Sequence, residues 1–523
     1  MVSKFNTSAT KPQAHSPVTT KKKPSTRTFE GGSGYERDVK SALFLLAVSN
    51  MVGEKTFYES ADDRDDRYAT LVRRATIADP EWTARLLAWL RSEANMRSAS
   101  LVGAAEFTKA RLDANLDGMS RQVVGSVLRR ADEPGEMLAY WTSKYSRTIP
   151  KPVKRGVADA VLRLYNERSL VKYDTDSKGF RFADVIDLVH PKTKQEWQGA
   201  LFTHALDRRH KRDNPIPESL RVLNANAALR AGMSQADTPV TFVEADALRD
   251  AGMTWEDTLS QLGSKVDKAR LWEANIPSMG YMALLRNLRN FDEAGVSDEV
   301  AAKVAARLAD PEQVAKSRQF PFRFLSAYES APNLRWGKAL DDALRASLRN
   351  LPSLPGRSLI LIDTSASMTS VGYSKRSSVT PAKAAAVFGV ALGAKGEDVD
   401  VVGFASGTFH HKIRKGGSIL REVERFLRRI GEVGHGTDIA GALRSSYRRH
   451  DRVFIISDMQ TIQGDVSEAV KRNVPIYGFN LGGYAPAAYA TGADNRHEFG
   501  GLTDATFRMI PLLEAARNAD WPF

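Results

Sequence analysis

The spacing of apolar residues divides the chain into two regions that meet near residue 350. Before this point, apolar residues recur every three or four positions, as in residues 81–96, and strand-like alternation is scarce. That spacing places them on one face of a helix. Asp79 and Asp310 each precede a proline and a glutamate, a combination typical of the first turn of a helix. The region therefore predicts an array of short helices whose internal repeats are too degenerate to show a period.

After residue 350 the pattern changes to short apolar runs that alternate with helical segments. The runs that predict buried strands are residues 358–362, 400–404, 452–456 and 475–479, and the helical segments between them include residues 381–394 and 419–430. Alternating strands and helices predict a parallel sheet covered on both faces. We therefore expect a Rossmann-like α/β domain over residues 356–523, with ligands at the carboxyl ends of its strands.

Composition excludes several classes of protein. The 523 residues contain no cysteine, which removes disulfides, cysteine-ligated zinc, iron–sulfur clusters and thiol catalysis. No apolar run is long enough to span a bilayer, and the first 29 residues lack the apolar segment of a signal peptide. We therefore expect a cytoplasmic protein without a membrane partner. The net charge of +13 is compatible with a polyanionic ligand.

The first 29 residues form a separate region by composition. They contain six lysines and arginines and no acidic residue, and Pro, Ser and Thr dominate the rest. Because so polar a segment buries too little apolar surface to offset its ordering entropy, we expect a disordered basic tail over residues 1–29. It would either help to capture nucleic acid or be a solvated tail without a dedicated role. The helical domain would then cover residues 30–350.

One band of the helical region is selectively basic. Residues 144–212 contain 16 lysines and arginines against 8 acidic residues, whereas the rest of the helical region is net negative. A concentrated surplus of this kind is typical of a surface that contacts phosphates, although a solvated surface is the alternative. Aromatic residues lie in or beside this band, and they would either stack on unpaired bases or belong to helix cores. They are Trp141, Tyr145, Tyr165, Tyr173 and Phe180.

A set of oxygen-bearing side chains follows the predicted strands of the α/β domain. Asp363, Ser365 and Ser367 come directly after the first strand, Asp458 follows the third, and Thr437 lies in a glycine-flanked loop at a helix start. Hard oxygen ligands of this kind suit Mg²⁺ or Mn²⁺. The alternative is that the aspartate and serines only cap the following helix.

Together these five residues resemble the metal-ion-dependent adhesion site of von Willebrand factor A domains. The resemblance implies that Ser365, Ser367 and Thr437 bind the metal directly or through water, and that Asp363 and Asp458 act mostly through water. A sixth position would accept an acidic group from a partner. A hydrolase is less favoured, because a serine nucleophile needs a general base and only His435 lies plausibly near.

Segments of the helical region, followed by an A domain, resemble the TROVE-domain family of the Ro autoantigen and its bacterial relatives. The most specific segment is the string Ala-Leu-Leu-Arg-Asn-Leu at residues 283–288. The other similar segments are residues 56–58, 170–173, 182–191, 276–277, 320–323 and 325–328. The resemblance covers roughly residues 30–523. It implies a ring-like domain of HEAT-type helical repeats followed by the A domain.

The resemblance also implies RNA ligands. Family members bind small noncoding Y RNAs on a basic outer face and accept single-stranded 3′ ends of misfolded RNA in a central hole. In bacterial relatives the Y RNA can join the protein to a 3′-to-5′ exoribonuclease, polynucleotide phosphorylase. The positions that match family RNA contacts are Lys172 and His190, and Lys178 takes the place of a basic contact expected just after Lys172. From the basic band, Lys154, Arg155, Lys192 and Lys194 complete the candidate RNA surface.

The roles of one residue and of one residue pair are left open. His190, which precedes a proline, is either a packed end-of-helix residue or a donor to a phosphate or base edge. Arg286 and Asn287 belong either to a structural network or to the lining of the central hole.

The sequence thus predicts a monomeric, non-enzymatic RNA-binding scaffold of the Ro type. The rival hypothesis is a protein-binding module in which the A-domain metal grips a partner's carboxylate. A nuclease is the least favoured, because no acidic two-metal cluster or catalytic histidine pair is evident.

Overall fold

A computed structural model describes residues 14–49, 51–235, 243–349, 351–375, 377–462, 464–501 and 504–523. These residues form two compact units. The first, which we call the α/β unit, comprises residues 14–71, 320–326 and 344–523. The second, the helical unit, comprises residues 72–319 and 327–343.

Short strands begin the described chain and helices then follow as far as Ser347. The strands are β1 (Thr26–Arg27) and β2 (Ser33–Glu36). The helices are α1 (Val39–Ala47), α2 (Ala61–Ala78), α3 (Pro80–Ser92), α4 (Arg97–Asp113), α5 (Ser120–Val127), α6 (Glu133–Lys144), α7 (Lys151–Leu164), α8 (Glu167–Tyr173), α9 (Phe182–Val189), α10 (Glu196–Arg209), α11 (Arg221–Gln235), α12 (Ala245–Asp250), α13 (Trp255–Leu262), α14 (Lys268–Asn275), α15 (Tyr281–Ala294), α16 (Asp298–Ala309), α17 (Pro311–Ser317), α18 (Phe322–Ser330) and α19 (Leu334–Ser347). A 3₁₀ turn covers Ile276–Ser278. The predicted helical array is confirmed.

Strands and helices alternate in the remainder of the chain. They are β3 (Arg357–Asp363), α20 (Ala366–Thr369), α21 (Pro381–Lys395), β4 (Asp398–Phe404), β5 (Thr408–His411), α22 (Ile419–Leu427), α23 (Ile439–Ser446), β6 (Arg452–Ser457), β7 (Ile476–Asn480), β8 (Pro486–Ala487), β9 (Arg496–Gly500) and α24 (Met509–Glu514). A 3₁₀ helix, Asp504–Arg508, precedes α24.

The helix starts that the sequence marks are formed as predicted. The Asp79 carboxylate accepts the backbone N–H of Trp82 at 3.0 Å, and Pro80 is the first residue of α3. Asp310 caps α17 in the same way, accepting the N–H groups of Glu312 and Gln313. These bonds satisfy N–H groups that have no partner within the helix. The apolar face of α3 is then buried in the helical unit.

The main sheet has the strand order β5-β4-β3-β6-β7-β9. Neighbours from β4 to β9 run parallel, and β5 pairs antiparallel with β4 at one edge. Each of the predicted strands is present within two residues of its expected bounds. The sequence pattern missed β5 and β9, because neither is an apolar run. In β9, the polar residues Arg496, His497 and Glu498 are each no more than 3% exposed.

The N-terminal segment corrects the prediction of a disordered tail over residues 1–29. In residues 14–29, Ala14, Val18 and Thr28 are buried, and β1 pairs with β2. Strand β2 in turn pairs with β8, and the buried Arg37 side chain contacts Glu498 through two hydrogen bonds of 2.6 and 3.0 Å. These contacts supply the burial that composition alone did not reveal. Residues 1–13 lie outside the described residues.

The same contacts correct the predicted start of the helical domain. Residues 30–71 belong to the α/β unit, although α1 and α2 begin the helical stretch of the sequence. Hydrophobic spacing identifies a helix but does not tell which core it joins. Across the described residues, every helix is too short or too polar to traverse a lipid bilayer.

Candidate functional site

The five residues predicted to bind metal meet at one edge of the main sheet. Strands β3 and β6 are parallel neighbours, so Asp363 and Asp458 both lie where these strands end. Ser365 and Ser367 follow Asp363 on the same loop, and Thr437 lies just before α23. All five are at most 5% exposed. The juxtaposition follows from strand order, since carboxyl ends of parallel strands share an edge.

Hydrogen bonds hold these side chains in place. Asp363 accepts the backbone N–H of Ser365 at 2.9 Å with one oxygen and the hydroxyl of Ser457 with the other. The hydroxyls of Ser365 and Ser367 are 3.2 Å apart. One Asp458 oxygen accepts the backbone N–H of Gln460 at 3.1 Å. The loops that carry Asp363 and Asp458 are therefore held by hydrogen bonds within the protein.

Two buried oxygens of the site lack a hydrogen-bond partner among the described residues. They are Oγ1 of Thr437 and Oδ2 of Asp458. Burial raises the pKa of Asp363, and burial together with the charge of Asp363 raises the pKa of Asp458. Two buried carboxylates and two orphaned oxygens are costly without a cation. The donor set, all hard oxygen, fits Mg²⁺ or Mn²⁺.

The alternatives for these residues are less well supported by the geometry. Ser365 is the N-cap of α20, but its side chain makes no capping hydrogen bond. His435 is exposed, and what it contributes to the site is its backbone carbonyl, which accepts the N–H of Ala366 at 2.9 Å. Among the described residues, its ring makes no hydrogen bond to Ser365 or Ser367. A serine nucleophile would therefore lack its general base.

Residues far earlier in the chain complete the surroundings of this edge. Tyr58 donates to the carboxylate of Glu30, and its ring stacks on Phe29 with 4.9 Å between ring centroids. A cavity of about 30 Å³, enough for water, is lined by Ser367 and Asp458 together with Arg64 and other residues. Sequence spacing could not predict the bond between Tyr58 and Glu30. The only signal was the family-like segment at residues 56–58, which contains Tyr58.

The candidate RNA residues lie on neighbouring elements of the helical unit. Lys154 and Arg155 are in α7, Lys172 is near the end of α8, and His190 follows α9, which packs against α7 and α10. Lys192 and Lys194 are in the loop between α9 and α10. Apart from the half-buried Lys154, these side chains are exposed. These side chains do not converge on a pocket, and what they share is exposure to solvent.

Ion pairing separates the members of the basic band. Several arginines contact aspartates: Arg181 binds Asp174, Arg209 binds Asp184 and Arg212 binds Asp207. Lys178 lies 3.2 Å from Asp132 and 3.6 Å from Glu136. By contrast, the following cations form no ion pair within the part of the chain that the structure describes: Lys151, Lys154, Arg155, Lys172, Lys192 and Lys194.

Lys178 therefore differs from the other candidates. Its ammonium group is already neutralised, because Asp132 and Glu136 each lie within 4 Å of it. Asp132 itself is held by Arg130 and is nearly buried. A phosphate would have to displace two carboxylates to bind this lysine. The aspartates that interrupt the family pattern have their own partner, since Asp174 and Asp176 both contact Arg181.

His190 is not a packed end-of-helix residue. Its backbone has φ 49°, the left-handed conformation that ends α9, and its N–H closes the last turn on Ile186 at 2.9 Å. This geometry leaves the ring exposed. In α8, Tyr173 contacts two cations, with Lys172 5.3 Å and Arg130 5.7 Å from its ring centroid. The Tyr173 ring is half-buried and lies next to Lys172, a candidate RNA contact.

Other residues of the band belong to the core, as the alternative held. Trp141 is 3% and Tyr165 2% exposed, and Tyr165 stacks on Phe182. Tyr145 donates to the buried carboxylate of Glu106.

In α15, Asn287 is buried and donates to the carbonyl of Ala283 at 2.8 Å, which is a structural network. Its neighbour Arg286 is exposed.

Comparisons with known proteins agree with these two regions. Residues 250–337 match the family model described as the TROVE domain, and they include residues 283–288. The chain is 27% identical over 406 residues to the RNA-binding protein RO60 of Deinococcus radiodurans, covering 72% of each protein. A segment of 83 residues is 43% identical to mouse telomerase protein component 1. That segment is 16% of this chain and 3% of the mouse protein.

A solved structure has the same fold. The crystal structure of the Deinococcus radiodurans RO (RSR) protein superposes with a TM-score of 0.60, covering 90% of this chain and 99% of that one. Sequence identity in this comparison is 19%, so it bears on fold alone. The predicted fold class, helical repeats followed by a von Willebrand factor A-like α/β domain, is confirmed.

Proposed function

We propose that this chain, a relative of the Ro proteins of the TROVE-domain family, is an RNA-binding scaffold of a ribonucleoprotein. The RNA would be a small noncoding, Y-like RNA bound by the exposed cations of the helical unit. The observation that carries this proposal is the division of the basic band. Arg181, Arg209 and Arg212 are engaged by aspartates. By contrast, the cations that remain available for phosphates are Lys154, Arg155, Lys172, Lys192 and Lys194.

Binding would follow from electrostatics and shape. Lysine and arginine side chains neutralise phosphates and release counterions, which gives affinity without sequence readout. Discrimination would come from the shape of the RNA and from unpaired bases, with Tyr173 and His190 as the groups able to stack or donate. Lys178 is left out of the proposed contacts because Asp132 and Glu136 engage it.

Charge reversal of three lysines tests the proposal. The probe is a hairpin RNA with a single-stranded 3′ extension, and the variant combines Lys172→Glu, Lys192→Glu and Lys194→Glu. We expect its affinity in gel shifts to fall by at least about 100-fold, with a shallower salt dependence. The matched control reverses Lys303, Lys316 and Lys338, exposed lysines of the same unit that pair with acidic residues one helical turn away. Equal losses in both variants, or none in the first, would refute the proposed surface.

Finer features of the proposal come from the family resemblance. They are a second RNA ligand, the single-stranded 3′ end of misfolded RNA, a 3′-to-5′ exoribonuclease such as polynucleotide phosphorylase as the partner, and a monomeric, non-enzymatic protein in the cytoplasm. Crosslinking followed by sequencing would identify the RNA. Purification with and without ribonuclease would show whether the partner is held through RNA. Labelled RNA that shortens in the presence of pure protein and Mg²⁺ would contradict the absence of nuclease activity.

The orphaned oxygens support a second candidate function, binding of Mg²⁺ or Mn²⁺. Asp363, Ser365, Ser367, Thr437 and Asp458 would hold the ion, directly or through water, and the ion would supply a positive charge that attracts an acidic group. Titration of Mn²⁺ in a calorimeter tests this. Thr437→Val, which keeps the shape and removes one orphaned oxygen, should weaken binding roughly 10-fold or more.

The control for this test is Thr364→Val, at the position between Asp363 and Ser365. The Thr364 hydroxyl donates to the carbonyl of Phe404 at 2.9 Å and therefore does not face the proposed ion. Mn²⁺ binding should survive this substitution. A wild-type chain that takes up no Mn²⁺, or that binds it equally after Thr437→Val, would exclude these residues as a metal site.

A further inference from the structure

The loop between α9 and α10 leads into an exposed tryptophan. Trp197 is the second residue of α10 and is 41% exposed. The chain has eight tryptophans, and the other seven are buried or half-buried. The indole of Trp197 makes no hydrogen bond, aromatic contact or cation–π contact with any residue that the structure describes. It is therefore free to stack on a ring from another molecule.

The packing of α10 keeps this side chain at the surface. Gln198, the next residue, is 3% exposed and donates to the carbonyls of Leu162 and Tyr165 at 3.0 and 3.2 Å. These bonds fix the first turn of α10 against the end of α7. Because successive residues of a helix are rotated by about 100°, Trp197 is directed to a different side of α10 than Gln198. A rigid helix thus presents the indole to solvent.

Two unpaired cations lie in the loop directly before this turn. Lys192 and Lys194 are exposed and form no ion pair with any described residue. The Thr193 hydroxyl between them accepts the backbone N–H of Gln195 at 3.0 Å. The methyl group of the same threonine lies 4.0 Å from the place of a Cβ atom on Gly199. The loop therefore folds back against the turn of α10 that carries the tryptophan.

The local charge favours a polyanion. Within residues 190–199 the acidic side chain is Glu196 alone, against Lys192, Lys194 and the exposed ring of His190. Lysines bind phosphates through charge, and an aromatic side chain binds a base through stacking. An exposed indole beside free lysines therefore fits a nucleotide whose base is unpaired, since a paired base is stacked within its own helix.

Tyr173, an aromatic side chain beside a candidate RNA contact, is placed differently. Its ring is half-buried, and Lys172 and Arg130 already lie 5.3 and 5.7 Å from its centroid. Trp197 has the larger ring system, more exposure and no such contacts among the described residues. Of the two, Trp197 offers the better stacking surface.

We propose that Trp197 stacks on an unpaired base of the RNA whose phosphates Lys192 and Lys194 neutralise, and thereby favours RNA with an unpaired nucleotide over a fully paired duplex. The inference rests on the proposed RNA binding and deepens it, because it names the RNA feature that this surface recognises. The phosphate contacts supply affinity for either kind of RNA. The tryptophan adds affinity only where a base is free to stack.

Two RNA probes separate these contributions, a hairpin with a single-stranded 3′ extension and a blunt duplex of equal length. Trp197→Leu keeps an apolar side chain and removes the aromatic ring. We expect its affinity for the extended hairpin to fall roughly 10-fold in gel shifts. Its affinity for the duplex and the salt dependence of binding should stay unchanged, because the lysines remain. Trp197→Phe, which retains a smaller ring, should recover most of the loss.

A crosslink and a matched control make the result specific. Light-activated 5-iodouridine, placed in the 3′ extension, should crosslink to Trp197 of the wild-type chain, as identified by mass spectrometry. Leu116→Ala is the control, because Leu116 is an exposed apolar residue of the same unit outside the basic band. Its affinity for both probes should equal that of the wild type. Thermal melts of each variant confirm that the fold is retained.

The failures of the two proposals differ. If charge reversal of Lys172, Lys192 and Lys194 abolishes binding but Trp197→Leu binds both probes as the wild type does, the RNA surface stands and the role of Trp197 is overturned. Equal losses for both probes in Trp197→Leu would also overturn stacking. If the wild-type chain binds neither probe, the proposed RNA binding fails and the role of Trp197 falls with it.

A protein is the other occupant that an exposed indole could have. Unchanged RNA affinity in Trp197→Leu, together with loss of a protein that copurifies with the wild-type chain, would assign the indole to a protein contact and overturn the proposal. Loss of affinity confined to the extended hairpin, restored by Trp197→Phe and accompanied by the crosslink, supports it.

Discussion

The candidate metal site and the candidate RNA surface are built on opposite principles. In the metal site, five side chains from three loops are buried, and most of their polar atoms are bonded within the protein. On the candidate RNA surface the side chains other than Lys178 make no ion pairs among the described residues, and all of these but the half-buried Lys154 are exposed. Lys178 and the neighbouring Arg181 and Arg209 are paired with acidic residues and are therefore not available to bind phosphates. The metal site is thus distinguished by buried side chains with partners in the protein, and the RNA surface by cations without acidic partners among the described residues.

The difference decides how each region responds to substitution. A buried charge or hydroxyl has exchanged water for protein partners, so removing one partner leaves the other desolvated and costs stability. An exposed lysine remains hydrated, and its loss changes affinity without changing stability. The following predictions test this contrast, beginning with the largest effect.

Arg37→Ala should destabilise the α/β unit more than any surface change. The side chains of Arg37 and Glu498 are each 1% exposed, and the substitution leaves the Glu498 carboxylate buried without its cation. We expect a loss of about 3–5 kcal/mol. Hydrogen exchange of the β7 and β9 amides measures it. Lys21→Ala, which breaks the exposed pair with Glu36, should cost less than about 1 kcal/mol, and equal costs would erase the contrast.

Acid should destabilise the same unit through His497. Burial, followed by the charges of Arg496 and His15, lowers the pKa of His497 to about 4. The unfolded chain takes up this proton near pH 6.5, so stability falls as the pH drops from about 6.5 to about 4, by about 3 kcal/mol. Denaturant melts across this range should show the slope, and His497→Gln should flatten it. An unchanged slope in that variant would assign the acid sensitivity elsewhere.

Thr437→Val should stabilise the metal-free protein. The hydroxyl it removes is buried without a hydrogen-bond partner, so the desolvation cost disappears, with a gain of about 1–2 kcal/mol. Thr364→Val should have the opposite sign, because it removes one of the two hydrogen bonds that the carbonyl of Phe404 accepts, and only the bond from the backbone N–H of Thr364 is left. Chemical denaturation in chelator measures both. A loss of stability in both variants would mean that the Thr437 hydroxyl has a partner in solution.

Lys192→Ala with Lys194→Ala should leave the stability of the helical unit unchanged, within about 0.5 kcal/mol. Both side chains are exposed and unpaired within the described chain. The salt dependence of RNA binding should nevertheless weaken by about two phosphate contacts. Thermal melts and salt-dependent gel shifts check the two halves. A change in stability without a change in RNA affinity would contradict the assignment of Lys192 and Lys194 to RNA binding.

Sequence patterns predicted which candidate metal residues lie together better than they predicted which basic residues are free of ion pairs, for a physical reason. Asp363 and Asp458 follow apolar runs that form neighbouring parallel strands, and strand ends converge whatever the intervening loops do. No comparable rule tells which lysines are paired. Lys178 and Lys172 look alike in sequence, yet only Lys178 meets acidic residues, and these come from α6 and the residue before it.

Two parts of the fold escaped prediction because their burial is polar. Strand β9 is buried through Arg496, His497 and Glu498, and residues 14–36 are ordered by pairing and by contacts to distant loops. The spacing of apolar residues detects strands that are buried through apolar side chains. It does not detect a strand such as β9, whose buried side chains are polar or charged. Glu30, whose carboxylate accepts the hydroxyl of Tyr58, lies in this overlooked segment, so its position could not be predicted from the sequence.

The pairing of β2 with β8, and of Arg37 with Glu498 461 positions later, also sets an order of events during synthesis. A ribosome adds roughly 5–20 residues per second, so Arg37 waits on the order of tens of seconds for its partner. The segment 72–319 of the helical unit has meanwhile emerged in full. The helical unit is therefore able to fold on the nascent chain, while the α/β unit closes last, after β9 is made. Because its closure joins residues far apart in the sequence, we expect the α/β unit to fold more slowly than the helical unit.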